Sequence, residues 1–360
     1  MLIVDAHEDL AWNALTFGRD YSRSAAETRT AENGGPAVQR NGNSLIGLPD
    51  LLRGQVAVVF GTLFVSPAKQ QSGPWDAQAY TDAESAHRLA QAQLDYYHRL
   101  ADEHETFTLI ETQGDLTRVL TSWEVPAEAA RRVGLVPLME GADPIRTPEE
   151  VEEWQARGVR IVGLAWAGTR YAGGTGEPGP LTPDGRRLVE LMSDLGLILD
   201  LSHASDETFN QALDRFQGTV IVSHANCRAL MKGFSRPERM LTDEMIRRLA
   251  DAGGVMGVVP YNRFLKPDWQ PSDGKDSVTL NDVAAMIDHI CQVTGSAAHA
   301  AIGSDFDGGF GVERVPAEID TVADLQKLGG VLRERGYAEG DVAGILGQNW
   351  VRVLRQGLPA

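Results

Sequence analysis

The stretch Val4-Asp5-Ala6-His7-Glu8-Asp9-Leu10 opens the chain with a short apolar run that stops at a histidine and an aspartate two residues apart. In an extended strand, residues i and i+2 point to the same side, so His7 and Asp9 converge on one object. Imidazole nitrogen and carboxylate oxygen are both zinc-ligand types, and a His-x-Asp pair at a strand mouth grips one ion from two directions. The pair alone is equally consistent with a local hydrogen bond at a strand end. The metal reading therefore depends on further ligands in matching places.

Seven more short apolar runs follow the first one, Leu2–Val4: Val56–Val65, Leu135–Leu138, Val159–Ala165, Leu197–Leu201, Val220–Val222, Val255–Val259 and Ala300–Ile302. Helix-length segments lie between them. Strands alternating with helices point to a parallel sheet, and eight such units predict an α/β chain closed into a (β/α)8 TIM barrel, with an open doubly wound sheet as the competing architecture. Thr147-Pro148-Glu149-Glu150 starts a helix that Gly158 ends, and Ser205-Asp206-Glu207 and Thr242-Asp243-Glu244 open others. The longest helix is expected from about Asp76 to His104. With an irregular Arg19–Asn43 segment it lengthens the loops beyond the roughly 250 residues of a minimal barrel, as insertions around the mouth. Residues 1–360 read as one domain.

At 360 residues and 42% hydrophobic content the chain can bury a large core. The formal net charge of −17 argues against a nucleic-acid or anionic-membrane partner, since both need a basic face, and favours a cationic or zwitterionic small substrate. Two cysteines, Cys227 and Cys291, form no paired ligand motif. No signal segment and no apolar run of about 18 residues is evident, which together with the cysteine usage predicts a cytoplasmic protein. Gly173-Gly174-Thr175-Gly176 and Gly308-Gly309 lack the spacing and lysine of a nucleotide cradle and read as flexible loops.

Active sites of such barrels gather at the carboxyl ends of the strands. The first run ends at His7 and Asp9, the third at Glu140, the fifth at His203, the sixth at His224 and the last at Asp305 and Asp307. Of eight histidines, His87, His98, His104, His289 and His299 fall on or beside helices and are assigned structural roles. Three histidines and at least three carboxylates exceed what one tetrahedral zinc requires. The economical arrangement is two Zn2+ ions about 3.5–4 Å apart sharing a carboxylate and a hydroxide. Glu140 is placed as the bridge, with His7 and Asp9 completing one ion and His203 and His224 the other.

The ordered set Asp5-Ala6-His7-Glu8-Asp9-Leu10, Met139-Glu140-Gly141, Leu181-Thr182-Pro183-Asp184-Gly185, Asp200-Leu201-Ser202-His203, Ser223-His224, Arg239 before Leu241-Thr242-Asp243, Gly303-Ser304-Asp305-Phe306-Asp307-Gly308 and Gly347-Gln348-Asn349-Trp350 spans nearly the whole chain. It resembles the membrane dipeptidase (renal dipeptidase-like) family of zinc peptidases, within the metal-dependent amidohydrolases. The resemblance implies a barrel with two zinc ions on His7, Asp9, Glu140, His203 and His224. It also implies that Asp305 handles protons, that Arg239 binds the terminal carboxylate of a dipeptide, and that the protein is a homodimer. Asp307 is assigned a structural role.

Two departures stand out. The family commonly carries a histidine after the fourth strand that steadies the developing oxyanion, whereas Trp166 stands there; Met240 follows Arg239 where asparagine is usual. An indole donates one hydrogen bond and carries no charge, so the oxyanion falls to a zinc ion, Trp166, Arg170 or Tyr171. The expected reaction is hydrolysis of dipeptides, with a D-residue at the second position among the options. N-acyl amino acids, lactones or cyclic amides are alternative substrates, and a barrel that holds metal without turnover is the non-enzymatic alternative.

Overall fold

The computed structural model describes residues 1–125 and 130–360. All eight apolar runs form strands: β1 (Ile3–Glu8), β2 (Val56–Phe64), β3 (Val133–Glu140), β4 (Ile161–Gly163), β5 (Ile198–Asp200), β6 (Val220–Val222), β7 (Val255–Val258) and β8 (Ala300–Ile302). They pair in parallel in chain order. Just beyond β8 the chain returns to β1: Asp305 N–H donates to the His7 carbonyl at 3.0 Å, and Phe306 bridges Glu8 in parallel. That closure decides for the barrel over the open sheet, because closing the ring satisfies backbone groups that an open sheet leaves at its edges.

The runs are apolar throughout because both faces are buried. Val4, Val58, Phe60, Val136, Leu138, Ile161, Ile198 and Ile221 belong to one cluster, into which Leu116, Val119 and Trp350 also pack. The alternate positions Val59, Leu135, Met139, Val162, Leu199 and Val222 join the cluster shared with the surrounding helices. Phe107–Leu109 is a short additional strand on β3, absent from the sequence reading. Phe107-Thr108-Leu109 is only three residues long, too short to establish a period, so nothing marked it.

The expected helix starts hold at Ser205 and Thr242, whose side chains accept from Thr208 and Met245 N–H. Thr147 precedes a 3-10 turn that continues as Val151–Ala156. Two expectations need correction. The longest helix is Ala83–Glu103, not a helix from Asp76, because Asp82 and Ser85 form a capping box that fixes its start. The Arg19–Asn43 segment is not irregular: it contains helices Ala25–Glu32 and Pro36–Asn41, the first closed by its own Ser24–Glu27 capping box. The first of these insertions reaches the carboxyl ends of the strands, where Arg40 and Asn41 line the cavity of the site. Among the described residues no helix is long and apolar enough to cross a membrane.

Candidate metal centre

Glu140 ends β3 in phase with Val136 and Leu138, so strand alternation aims its carboxylate into the barrel mouth. His203 and His224 stand three and two residues beyond the ends of β5 and β6. His7 is less simple. Val4 and Ala6 share the inner cluster, and unbroken alternation would turn Glu8 inward instead. The register slips between Asp5 and Glu8, three residues on β1 against two on β2, and this bulge turns His7 to the mouth. His203 (φ +62°) and Asp305 (φ +58°) occupy the left-handed region that non-glycine residues avoid, so backbone strain concentrates at these strand ends.

The six side chains converge. Glu140 Oε1 lies 3.1 Å from His203 Nε2 and 3.4 Å from His224 Nε2, while its Oε2 lies 3.4 Å from His7 Nε2. His7 Nε2 is also 3.8 Å from Asp9 Oδ2 and 3.9 Å from Asp305 Oδ1. All six are buried or nearly so. Burial drives the rings of His203, to about 4, and His224, well below its ordinary value, toward the neutral form. Burial opposes charge on His7 as well, but Glu140, Asp9 and Asp305 together push it up to about 10. Burial raises Asp9 to about 6 and takes Asp305 well above the carboxylate range. Glu140 is held well below that range: burial opposes this, but the His7 ring beside it prevails.

These donors fit a cation. Among the described residues neither ring nitrogen of His7 has a hydrogen-bond partner, and the His203 and His224 Nε2 atoms face each other at 3.0 Å. Converging lone pairs beside three buried carboxylates call for positive charge, and imidazole and carboxylate suit zinc. Two overlapping triads have ligand atoms within 4.8 Å of one another: His7, Glu140 and His224, and His7, Asp9 and Asp305.

A second layer orients the rings. Asp200 Oδ1 accepts from Ser202 Oγ (2.8 Å) and from the Ser202 and Ser223 N–H groups, and Oδ2 accepts from Ser223 Oγ (2.5 Å). The Ser223 hydroxyl proton is thereby committed to Asp200, so its oxygen accepts from His224 Nδ1 at 2.9 Å and leaves Nε2 free to bind. Thr175 Oγ1 meets His203 Nδ1 at 3.0 Å, and Thr62 donates to Asp9 Oδ1 at 2.5 Å. The sequence reading assigned none of these roles. Thr62 had a signal, a polar residue breaking the Val58/Phe60 inner row; Thr175 lay in a tract read as a flexible loop.

Both glycine tracts are corrected, since neither is a loose loop. Gly174 bridges Glu177 and Ala204, and a Cβ on it would come within 2.4 Å of the Ala167 carbonyl. A Cβ on Gly308 would lie 2.2 Å from Asp305 Oδ1 and 2.6 Å from Asp9 Oδ2, so glycine is what lets the chain pass the site. Asp307 is the fully buried anchor of the first insertion: it accepts from Tyr21, Ser44 and Leu45 N–H and pairs with Arg19 at 3.2 Å.

Above the centre opens a cavity of about 460 Å³, whose lining includes Asp9, Glu140, His203, Asp305, Arg239 and Trp166. Arg239 is buried, donates to the His224 carbonyl at 2.9 Å, faces the Phe264 ring at 5.2 Å and leaves Nη2 without a partner. Trp166 packs 5.1 Å from Phe64 and 6.1 Å from His203. Arg170 and Tyr171 are corrections to the sequence reading. Arg170 is tied to Asp143 and the carbonyls of Asp143, Ile145 and Arg146, and the Tyr171 hydroxyl donates to the Ile145 carbonyl. Both polar ends are spent on the loop after β3, and neither residue lines the cavity. Among the remaining histidines, His87, His98, His289 and His299 bond Pro144, Arg157, Asp243 and Gly254, remote from the centre.

The sequence profile described as Membrane dipeptidase (Peptidase family M19) matches residues 1–357. The chain is 32% identical over 216 residues, 57% of its length and 75% of the other, to an uncharacterised Klebsiella pneumoniae protein from the pqqA 5′ region. It is 35% identical over 175 residues, 49% of its length but only 40% of the other, to an uncharacterised dipeptidase of Schizosaccharomyces pombe. Its fold matches that of a Rhodobacter sphaeroides metallopeptidase, crystallised with a phosphinate mimic of the dipeptide L-Ala-D-Ala, with a TM-score of 0.78, 22% identity and 99% of each chain covered.

Proposed function

The chain belongs to the membrane dipeptidase family and is a metallo-dipeptidase; from that premise we propose that it cleaves dipeptides with two Zn2+ ions held by His7, Asp9, Glu140, His203 and His224. The observation that carries this reading is the span of Glu140, one oxygen toward His203 and His224 and the other toward His7. Such ions supply a water acidified toward neutrality and a Lewis acid for the scissile carbonyl.

The chain supplies the remainder. Asp305 faces the cavity within 3.9 Å of His7, and its burial favours the protonated form. Ionised beside the two cations, its carboxylate would take a proton from the attacking water and, protonated, deliver it to the amine, which must leave protonated. Arg239, with one donor group unspent in a buried site, receives the terminal carboxylate as a planar fork. With Arg170 and Tyr171 turned away, Trp166 is the remaining candidate of the three for a hydrogen bond to the developing oxyanion. A D-residue at the second position is part of the proposal, supported by the L-Ala-D-Ala mimic bound to the Rhodobacter protein. A cytoplasmic homodimer is proposed on the family resemblance alone.

The test is metal analysis together with turnover. Freshly purified protein should carry close to two zinc equivalents and hydrolyse L,L- or L,D-dipeptides, and Asp305→Asn should lose turnover while keeping its zinc. Zinc-loaded protein that cleaves N-acyl amino acids or lactones but no dipeptide would refute the substrate assignment.

A further inference from the structure

We propose that Arg236 and Arg263 select dipeptides whose C-terminal residue carries a carboxylate side chain. The inference rests on the reading of Arg239 as receiver of the terminal carboxylate. Both arginines line the same cavity at its exposed rim. Arg236 begins the turn that Arg239 ends, with Arg239 N–H donating to the Arg236 carbonyl at 3.0 Å. Arg263 precedes Phe264, whose ring lies against the Arg239 guanidinium. The two rim cations therefore stand on the same wall of the cavity as Arg239, the proposed receiver of the C-terminal residue.

Among the described residues neither guanidinium has a hydrogen bond or a carboxylate within 4.0 Å. Arg228 and Arg248, by contrast, are both paired, with Asp206 and Asp214. The acidic groups around the cavity are committed elsewhere. Glu238 accepts from Gly176 N–H, Asp76 accepts from the Ser66 hydroxyl and from Gln78 N–H, and Asp9, Glu140 and Asp305 lie on the floor among the histidines. Two unpaired cations at the mouth of a cavity in a chain of net charge −17 form a local field opposite to the global one. The global charge favours cationic substrates; the rim reverses that preference where binding occurs. Asp or Glu offers a planar carboxylate that a guanidinium binds in two-point fashion, and Asn or Gln of the same shape does not.

The experiment uses the zinc-loaded full chain and isosteric pairs, Ala-Glu against Ala-Gln and Ala-Asp against Ala-Asn, with the second residue in each configuration. The expected kcat/KM ratio is about tenfold or more in favour of the acid, shrinking as salt rises. Arg236→Gln/Arg263→Gln should bring the ratio to near one, and Arg236→Glu/Arg263→Glu should turn the preference toward Ala-Lys, with zinc content and melting temperature showing that each variant is folded. Equal cleavage of acid and amide by the parent, or a preference that survives the double glutamine variant, overturns the inference and leaves the dipeptidase reading standing. Failure to cleave any dipeptide overturns both.

Discussion

Replacing Ser223 with alanine isolates the single hydroxyl that fixes the tautomer of His224. In the parent, Ser223 Oγ donates to Asp200 Oδ2 at 2.5 Å and accepts from His224 Nδ1 at 2.9 Å, so the ring proton resides on Nδ1. Without the hydroxyl, Nδ1–H is a buried donor with no acceptor, at a cost of about 1–3 kcal/mol. The ring can escape that cost by moving its proton to Nε2, where Glu140 Oε1 waits at 3.4 Å. The metal-free variant is then only mildly destabilised, but binding a cation has to drive the proton back. Loss of such an outer partner typically costs about 10–100-fold in metal affinity, or roughly 1.4–2.8 kcal/mol by the tenfold rule. Zinc titration of the chelated protein against a competing chelator reads this directly. Ser202→Ala is the contrast: Ser202 Oγ serves Asp200 Oδ1 (2.8 Å) and accepts from His224 N–H (3.1 Å) but touches no ring nitrogen. It should cost about 1 kcal/mol of stability with affinity nearly kept. Parental zinc affinity in Ser223→Ala, or an equal loss in Ser202→Ala, refutes the tautomer argument.

Three further outcomes follow from the same geometry. Arg239→Met should raise KM for dipeptides by about 10–100-fold, the worth of charge-assisted hydrogen bonds to a carboxylate, with a smaller effect on kcat; an unchanged KM in steady-state assays would exclude Arg239 from binding. Gly308→Ala forces a methyl within 2.2 Å of Asp305 Oδ1, so both turnover and zinc content should collapse, and retention of both would contradict the close passage. In the chelated protein, His7 is raised to about 10 from 6.5, so its stabilisation is full below pH 6.5 and lost as pH rises through 10. His203, lowered to about 4, has the opposite sense: its neutral form costs nothing above pH 6.5, and stability falls as pH drops toward 4. Thermal melts across pH should therefore peak between these limits for the chelated protein, and a flat profile would count against the carboxylates raising His7 and the burial lowering His203.

Much of this molecule was legible as a string of residues because barrel strands are buried on both faces and read as continuous apolar runs. All eight such runs became strands, and the residues ending five of them are those that meet at the mouth. What escaped the reading depended on contacts between distant segments. The helix start at Asp82 was local and could have been read from its capping box; the direction of Arg170 and Tyr171 could not, because the loop after β3 that captures them lies 24–27 residues away.

The sequence by itself determined which residue types stand at strand ends, since period-2 alternation and strand termini are local properties. Tertiary structure alone decided that His7 rather than Glu8 turns inward, because the bulge in β1 exists only in its pairing with β2. It alone decided as well that Ser223, Thr175 and Thr62 orient the ligand side chains, that Gly308 is a clearance and not a flexible loop, and that Arg236 and Arg263 are, among the described residues, cations without partners in an acidic protein. Composition sums charge over the chain, whereas binding responds to the few groups within a Debye length of the substrate.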